Sequence, residues 1–591
     1  MAKKARTKPA APAPIAPILS FRGRRWTERE ADRDVVRSLL ESGQSPVMAR
    51  LMAARGFNAT TASEFLDTSI LDHLPAPGFF NDMNKAVERI LEAVKWQQKV
   101  AIWGDYDVDG ATSTAILTRT LRLGGVEPEI YIPDRVTEGY GPNTPGLTAL
   151  KLAGFDLVCV LDSGTTAFEP LAAAAEMNLD VVVIDHHAAV EELPKAIAVV
   201  NPNRLDQEPG YGHVCAAGMT WIACRELAMR MPGKPLADVV NLLDIVALGT
   251  VCDVVPLTGI NRAFVREGLE IMSKRQNPGI ASLAHCAGIE QHMFESFHCG
   301  FGLGPRINAG GRVGEAKTGA LLLTCDDRQE CDRLAALLND WNRERQEIEK
   351  ACLEEAMAEA ETQYDSPITF VIADGWHEGV IGIVAGRLKE AFDKPTFVFS
   401  IVHPGEAKGS GRSMPGFDLG AAVIAARENG ILTKGGGHAM AAGATIPVEN
   451  AAAFRRYLED QVRQSEFAKA GSVTDIDASI SVLQVTLALT EAIEEMQPFG
   501  QGNPKPRFKM ANCRAMGHRL LKDKHLKLEL QCPGQKRPLP ALLFNAVGSP
   551  LGDQLIANLD GPLDLVVTLS VNEWKGSRTV QAFIEDARIA A

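Results

Sequence analysis

Between residues 98 and 205, short apolar runs recur at a spacing that leaves room for one helix between neighbours. They fall at 99–104, 129–132, 157–161, 181–184 and 197–200. Strands alternating with helical segments in this way predict an α/β fold built on a parallel, doubly wound sheet. Ligands of such sheets bind beyond the carboxyl ends of the strands. Here those ends are polar. Asp105, Asp107 and Asp109 follow the first run, Pro133-Asp134-Arg135 the second, Asp162 the third and Asp185-His186-His187 the fourth. One such end is commonplace; four in succession mark a site.

The first cluster lies in GDYDVDG, residues 104–110. Side chains two apart on an extended segment point the same way, and Gly110 lets the chain turn into the next helix. Carboxylates gathered like this repel one another unless a cation sits among them. A solvated acidic loop is the ordinary reading of D-x-D alone, and the later clusters weigh against it. A fourth group, Asp253, ends an apolar helix that runs from Asp238; a helix cap or helix-end ion pair is its other reading. Carboxylates with imidazole, and no thiolate, suit a harder ion than zinc: Mn2+ first, Mg2+ as the alternative. The acidic groups exceed what one cation needs, so two divalent ions sharing a carboxylate are expected. Such pairs catalyse in-line displacement at phosphorus.

At 591 residues the chain is too long for one hydrophobic core. Its composition is that of a soluble globular protein, with no run long enough to span a membrane. The first 20 residues, rich in Lys, Ala and Pro, read as a disordered tail rather than a signal peptide. Eleven cysteines without C-x-x-C spacing suit a reduced cytoplasm. The net charge of −13 does not by itself suggest a nucleic-acid binder. A helical segment is expected over 21–97, the site-bearing domain over 98–325, and a linking helix over 326–363. A second α/β domain then occupies 364–468, and a small β barrel 469–591. Residues 300–314, dense in glycine and carrying Arg306, Asn308 and Arg312, read as a loop that can grip a phosphate chain. The glycines beside His438 read as a second close-approach loop. The barrel region is the most basic part of the chain, with Phe544 and Trp574 available to stack, which suits a single-strand binder.

GDYDVDG, DSG (162–164), VIDHH (183–187) and GTVCDVVPL (249–257) together resemble the DHH phosphoesterase superfamily. GPRINAGGR (304–312), GWHEGVIGIVAGRL (375–388), GGHAMAAG (436–443) and MQPFGQGNPKPRF (496–508) narrow the resemblance to its bacterial single-strand-specific 5′ exonucleases. The last motif there leads into an oligonucleotide-binding (OB) barrel. The resemblance implies a metal-dependent enzyme that degrades single-stranded DNA from the 5′ end to 5′-mononucleotides in repair and recombination. It implies Asp107, Asp109, Asp162, His186 and Asp253 as ligands of two Mn2+ ions, with Asp162 and Asp253 bridging and Asp105 supporting or joining them. His187 becomes the acid/base or transition-state contact, and Asp185 orients the imidazoles. The 5′-phosphate pocket maps onto Arg135, Arg306, Ser410 and Arg412, and the segment around His438 lines the strand's path. A monomer is implied, with a helicase and a single-strand-binding protein as partners. Val108 and Cys252 replace the expected alanines, and neither change removes a ligand. Two other readings stay open. One is a phosphodiesterase for short oligonucleotides or cyclic dinucleotides, which the barrel argues against. The other is a non-catalytic DNA-binding scaffold, which would be expected to have lost ligands.

Overall fold

The structure, a computed structural model, describes residues 18–66, 69–134, 138–470, 472–531, 538–574 and 576–590. It divides into two units. One is Ser63–Ser465 with Met496–Lys505; the other joins the residues up to Ala62 to Glu466–Glu495 and Pro506–Ala591.

The larger unit begins its sheet with β1 (Val100–Trp103), followed by helix α1 (Val108–Leu123). Strands β2 (Glu129–Tyr131), β3 (Leu157–Leu161), β4 (Asp180–Ile184) and β5 (Ala198–Val200) complete it. The order is β2-β1-β3-β4-β5, parallel throughout. Val100, Ile102, Leu157, Cys159 and Leu161 face one core, and Ala101, Trp103, Val158 and Val160 the other. Burial on both faces is why these strands read as unbroken apolar runs. The chain leaves β1 in opposite directions to reach β2 and β3, so the switch point lies between β1 and β3.

Helices α2 (Ala216–Arg230) and α3 (Leu243–Cys252) cover one face with α1. The apolar stretch from Asp238 is two helices rather than one, because a short helix, Leu236–Val240, ends before α3 begins. Residues 298–313 are also helical, as a π-helical turn His298–Leu303 leading into α4 (Gly304–Val313). The glycines that suggested a loop serve close packing instead. A Cβ on Gly304 would lie 2.4 Å from Cys252 Sγ, and one on Gly311 would lie 2.6 Å from the Tyr106 carbonyl.

The 34-residue helix α5 (Arg328–Glu361), capped by Asp327, leads to β6 (Thr369–Asp374) and α6 (Glu378–Phe392). Next come β7 (Thr396–His403), β8 (Glu406–Arg412), α7 (Leu419–Glu428), β9 (Lys434–His438) and β10 (Ala441–Pro447). The second sheet has the order β9-β10-β8-β7-β6. Its Gly435-Gly436-Gly437 segment is thus an edge strand in a hairpin, not the loop that glycine content suggested.

In the smaller unit, β11 (Phe508–Leu521), β12 (His525–Gln531), β13 (Leu539–Leu543), β14 (Leu563–Trp574) and β15 (Ser577–Ile589) form a sheet closed by pairing of β11 with β14. The parallel β13–β15 pair and helix α8 (Pro550–Ala557) complete a five-stranded barrel of OB type. A short strand, Arg25–Glu28, pairs with Val473–Ile476 beside it. Arg55 grips Asp477 through two nitrogens at 3.0 and 3.2 Å, tying the first helices to the barrel.

Asp244, in the first turn of α3, is 4% exposed; its Oδ1 accepts only the Ile245 amide, at 2.7 Å. Burial pushes this carboxyl up to about 7, against the pull of that amide and of Arg119. A raised carboxyl keeps its proton in the folded state, so its contribution to stability is present at low pH. That contribution is lost as the pH rises from about 4 through about 7. Asp244→Asn is expected to gain on the wild type across that window, by up to ~1.4 kcal/mol per pH unit, and to match it near pH 4. Urea unfolding midpoints at several pH values measure this; a constant difference at all pH values would refute it.

Candidate metal centre and strand-binding face

The carboxyl ends of β1, β3 and β4 and the end of α3 bring seven groups together. Three sets of ligand atoms each lie within 4.8 Å of one another: Asp105, Asp107 and Asp162; Asp109, His186 and Asp253; Asp162, His186 and His187. Every expected ligand is in this cluster. Asp105 belongs to it as well, and so does His187, which sequence reasoning placed beside the ligands rather than among them.

Each group is held by its own local device. Asp107 caps α1, accepting the amides of Asp109 and Gly110 at 2.9 and 3.1 Å. Asp109 lies at the start of α2, accepting the Ala216 and Ala217 amides at 2.7 and 2.9 Å. Helix N-termini favour such charges. Gly249 of α3 makes room for this carboxylate, since a Cβ there would come within 3.1 Å of Asp109 Oδ1. Asp162 adopts a left-handed backbone, φ 59°, immediately after β3. Asp253 caps the C-terminus of α3.

Asp185 is 1% exposed and organises both histidines. Its Oδ1 accepts the His186 amide at 2.7 Å and His187 Nδ1 at 2.8 Å, and its Oδ2 accepts the Thr165 amide at 3.0 Å. Burial alone would raise its pKa; the bonds from His187 and Thr165 outweigh burial and hold it well below the usual carboxylate range. Burial would in turn lower His187, but Asp185 raises it above its ordinary value. His186 lacks that partner, and burial keeps its pKa low despite Asp109. The backbone carbonyls of the histidines are also held: Asn203 Nδ2 donates to His186 at 2.6 Å and Asn201 Nδ2 to His187 at 2.9 Å. Sequence reasoning missed both asparagines. Their signal was N-P-N directly after the fifth apolar run.

The electrostatics call for a cation. Burial, then the neighbouring Asp109, Asp107 and Asp105, push Asp162 well above its ordinary range. Burial, then Asp109 and Asp107, push Asp253 up to about 9. Asp162 Oδ1 and Asp253 Oδ2 are buried yet accept no hydrogen bond among the described residues. They lie 3.3 and 3.8 Å from His186 Nε2. Buried oxygens left bare beside an imidazole nitrogen fit a hard divalent ion.

The residues expected to hold the 5′ phosphate separate into groups. Arg412 Nη1 donates to Ser410 Oγ at 3.1 Å, and both lie against Gly382 of α6, where a Cβ would meet each at 3.0 Å. His438, Ala441 and Arg412 share one register row across β9, β10 and β8, so His438 and Arg412 point to the same face. Gly436 and Gly443 share the next row with Ser410, and a Cβ on Gly436 would meet nothing. Arg312 donates to the Gly379 carbonyl at the start of α6. Arg306 instead bonds Asn339 Oδ1 and the Gly302 carbonyl. Asn308 is half-buried on α4. Arg135 lies outside the described residues. On the barrel, Arg519 stands directly opposite Lys527 on β11 and β12, and neither pairs with an acidic side chain among the described residues. Like charges so placed favour an anion between them.

Known proteins carry the same parts. The DHH family N-terminal domain matches residues 99–250, the DHHA1 domain residues 365–464, and the RecJ OB domain residues 476–586. The single-stranded-DNA-specific exonuclease RecJ of Bacillus subtilis is 32% identical, over 96% of this chain and 71% of that protein. That of Dickeya dadantii is 32% identical, over 91% of this chain and 95% of that protein. The crystal structure of RecJ in complex with Mn2+ from Thermus thermophilus superposes with a TM-score of 0.79 at 26% identity, covering 96% of this chain and 80% of that one. With its metal-binding constellation, second α/β domain and OB barrel in one order along the chain, this protein belongs to the RecJ family of single-stranded-DNA-specific exonucleases.

Proposed function

We propose that the chain is a metal-dependent exonuclease that takes single-stranded DNA by its 5′ end and releases 5′-mononucleotides. The observation that carries this reading is the convergence of Asp105, Asp107, Asp109, Asp162, His186, His187 and Asp253 on one point. Asp107, Asp109, Asp162, His186 and Asp253 hold two divalent ions, with Asp105 beside them; the Mn2+ in the similar Thermus thermophilus structure supports that ion here. Bound there, the ions supply an activated water and a counter-charge for the leaving oxygen.

The remaining roles belong to the chain's own side chains. Asp185 takes the Nδ1 proton of His187 into its hydrogen bond, which fixes the tautomer and leaves Nε2 to exchange a proton with the reacting phosphate. The Tyr140 hydroxyl, 3.3 Å from that nitrogen, restrains the ring. Asn201 and Asn203 hold the histidine backbone in place. Ser410 and Arg412 receive the 5′ phosphate on the bare glycine strip of β9 and β10, where no side chain keeps the strand away. His438 and Arg312 border that strip, and Arg306, Asn308 and Arg135 complete the path. The basic hairpin of the barrel supports the strand through its phosphates. A helicase and a single-strand-binding protein would supply such a strand.

With Mn2+, the protein is expected to release mononucleotides from 5′-labelled single strands and to leave blunt duplex intact. Release from the 3′ end, or attack on blunt duplex, would overturn this reading. His187→Ala should lower kcat by about 10²–10⁴-fold while Mn2+ titration still finds both sites filled; loss of metal together with activity would make His187 a ligand first. Arg412→Ala should abolish the preference for a 5′ phosphate over a 5′ hydroxyl, chiefly through KM. A ratio of kcat/KM values equal to that of the wild type would remove Arg412 from the pocket.

A further inference from the structure

The smaller unit contains a pocket of about 460 Å3 that none of the roles above uses. Phe544 and Phe583 stack nearly parallel on one side, centroids 5.6 Å apart at 11°. Phe544, just past β13, is 55% exposed, an unusual place for a large ring with no polar edge. Its inner face is backed by Phe583 and its edge by His525, at 5.2 Å and 82°, so the ring is held flat and open. Across the pocket lie Arg22, Arg24 and Arg507. Glu585 answers Arg507 at 2.5 Å. Arg22 is exposed and meets no acidic side chain among the described residues. Arg22 and Arg24 come from the N-terminal segment, their amides tied to Ser20 Oγ at 3.3 and 3.2 Å.

An open aromatic face opposite the Arg22 guanidinium selects for a ligand with a flat ring at one end and an anion at the other. A simple anion would leave the rings bare, and an apolar ligand would leave Arg22 unanswered. A nucleotide satisfies both: the base stacks and the phosphate takes the guanidinium forks. The volume is that of a small-molecule site. We propose that this pocket binds one nucleoside monophosphate unit, its base on Phe544 and its phosphate on Arg22 and Arg24. The site's chemistry stands on its own walls. Only the source of the unit rests on the reading as a nuclease, which offers two: a nucleotide within an unbroken strand, or a released mononucleotide.

The test uses the full chain without divalent metal, so that no strand is cut. A 20-nucleotide oligo-dT carrying 5-iodo-deoxyuridine is photo-crosslinked and mapped by mass spectrometry. Binding of that strand and of dTMP is measured separately by anisotropy and calorimetry. Both altered side chains are exposed, and matched melting temperatures confirm the fold of the variants. The expected result is a crosslink at Phe544, and affinity about tenfold weaker in Phe544→Ala but kept in Phe544→Trp. Arg22→Ala should lower the salt dependence by about one unit of slope. Loss confined to the oligonucleotide identifies the strand as the source; loss with dTMP as well identifies the free mononucleotide. Unchanged affinity for both ligands with no crosslink at Phe544 overturns the pocket, even where the wild type degrades single strands with Mn2+. A wild type that fails to degrade them, yet loses dTMP affinity in the variants, sinks the nuclease and leaves the pocket.

Discussion

Repulsion among buried carboxylates is the interaction the catalytic unit is arranged around. Asp105, Asp109 and Asp162 are each 4% exposed or less. In water five such charges would spread apart; here the sheet and two helices forbid it. The fold therefore stores an electrostatic demand that protons or cations must meet. It is tolerable because every backbone segment carrying a ligand is anchored by something else. β1 and β3 are clamped between two apolar cores, α1 is capped by one of the ligands themselves, and α2 turns its N-terminus toward another.

That arrangement divides the labour within VIDHH. Asp185 has neither the surroundings nor the pKa of the other acids. It is low where they are high, because its oxygens are spent on amides and imidazole rather than facing other carboxylates. Two neighbouring histidines consequently differ in basicity by environment alone. One is buried among the acids and stays neutral; the other, leaning on Asp185 and nearly half exposed, holds a proton more readily. A ligand and a proton carrier thus arise from the same residue type at adjacent positions.

Much of this was legible in the residues. Polar groups after successive apolar runs place a site at strand ends because parallel sheets expose nothing else there. The barrel was legible from its short alternating segments. Glycine misled. In α4 it permits helices to touch, and in β9 it strips a strand of side chains, yet in sequence both resemble a flexible loop. The amide contacts of Asp109 with α2 could not be foreseen, since they join residues more than a hundred positions apart. Nor could the division of the N-terminal helical stretch near Ala62: helical periodicity says which face is apolar but not which core receives it.

The left-handed turn at Asp162 bears on how such a chain can change over time. Few side chains accept that backbone; asparagine is among those that do, and most others would strain it. The easiest exchange at this position is therefore one that conserves the turn, the hydrogen bond from the backbone amide to Ile184 and the packing, while deleting a charge. It would also relieve the crowding of acids around it. Selection for stability alone favours that step, and only selection for chemistry opposes it. The path from working enzyme to inert binding protein is short here and runs downhill in folding energy.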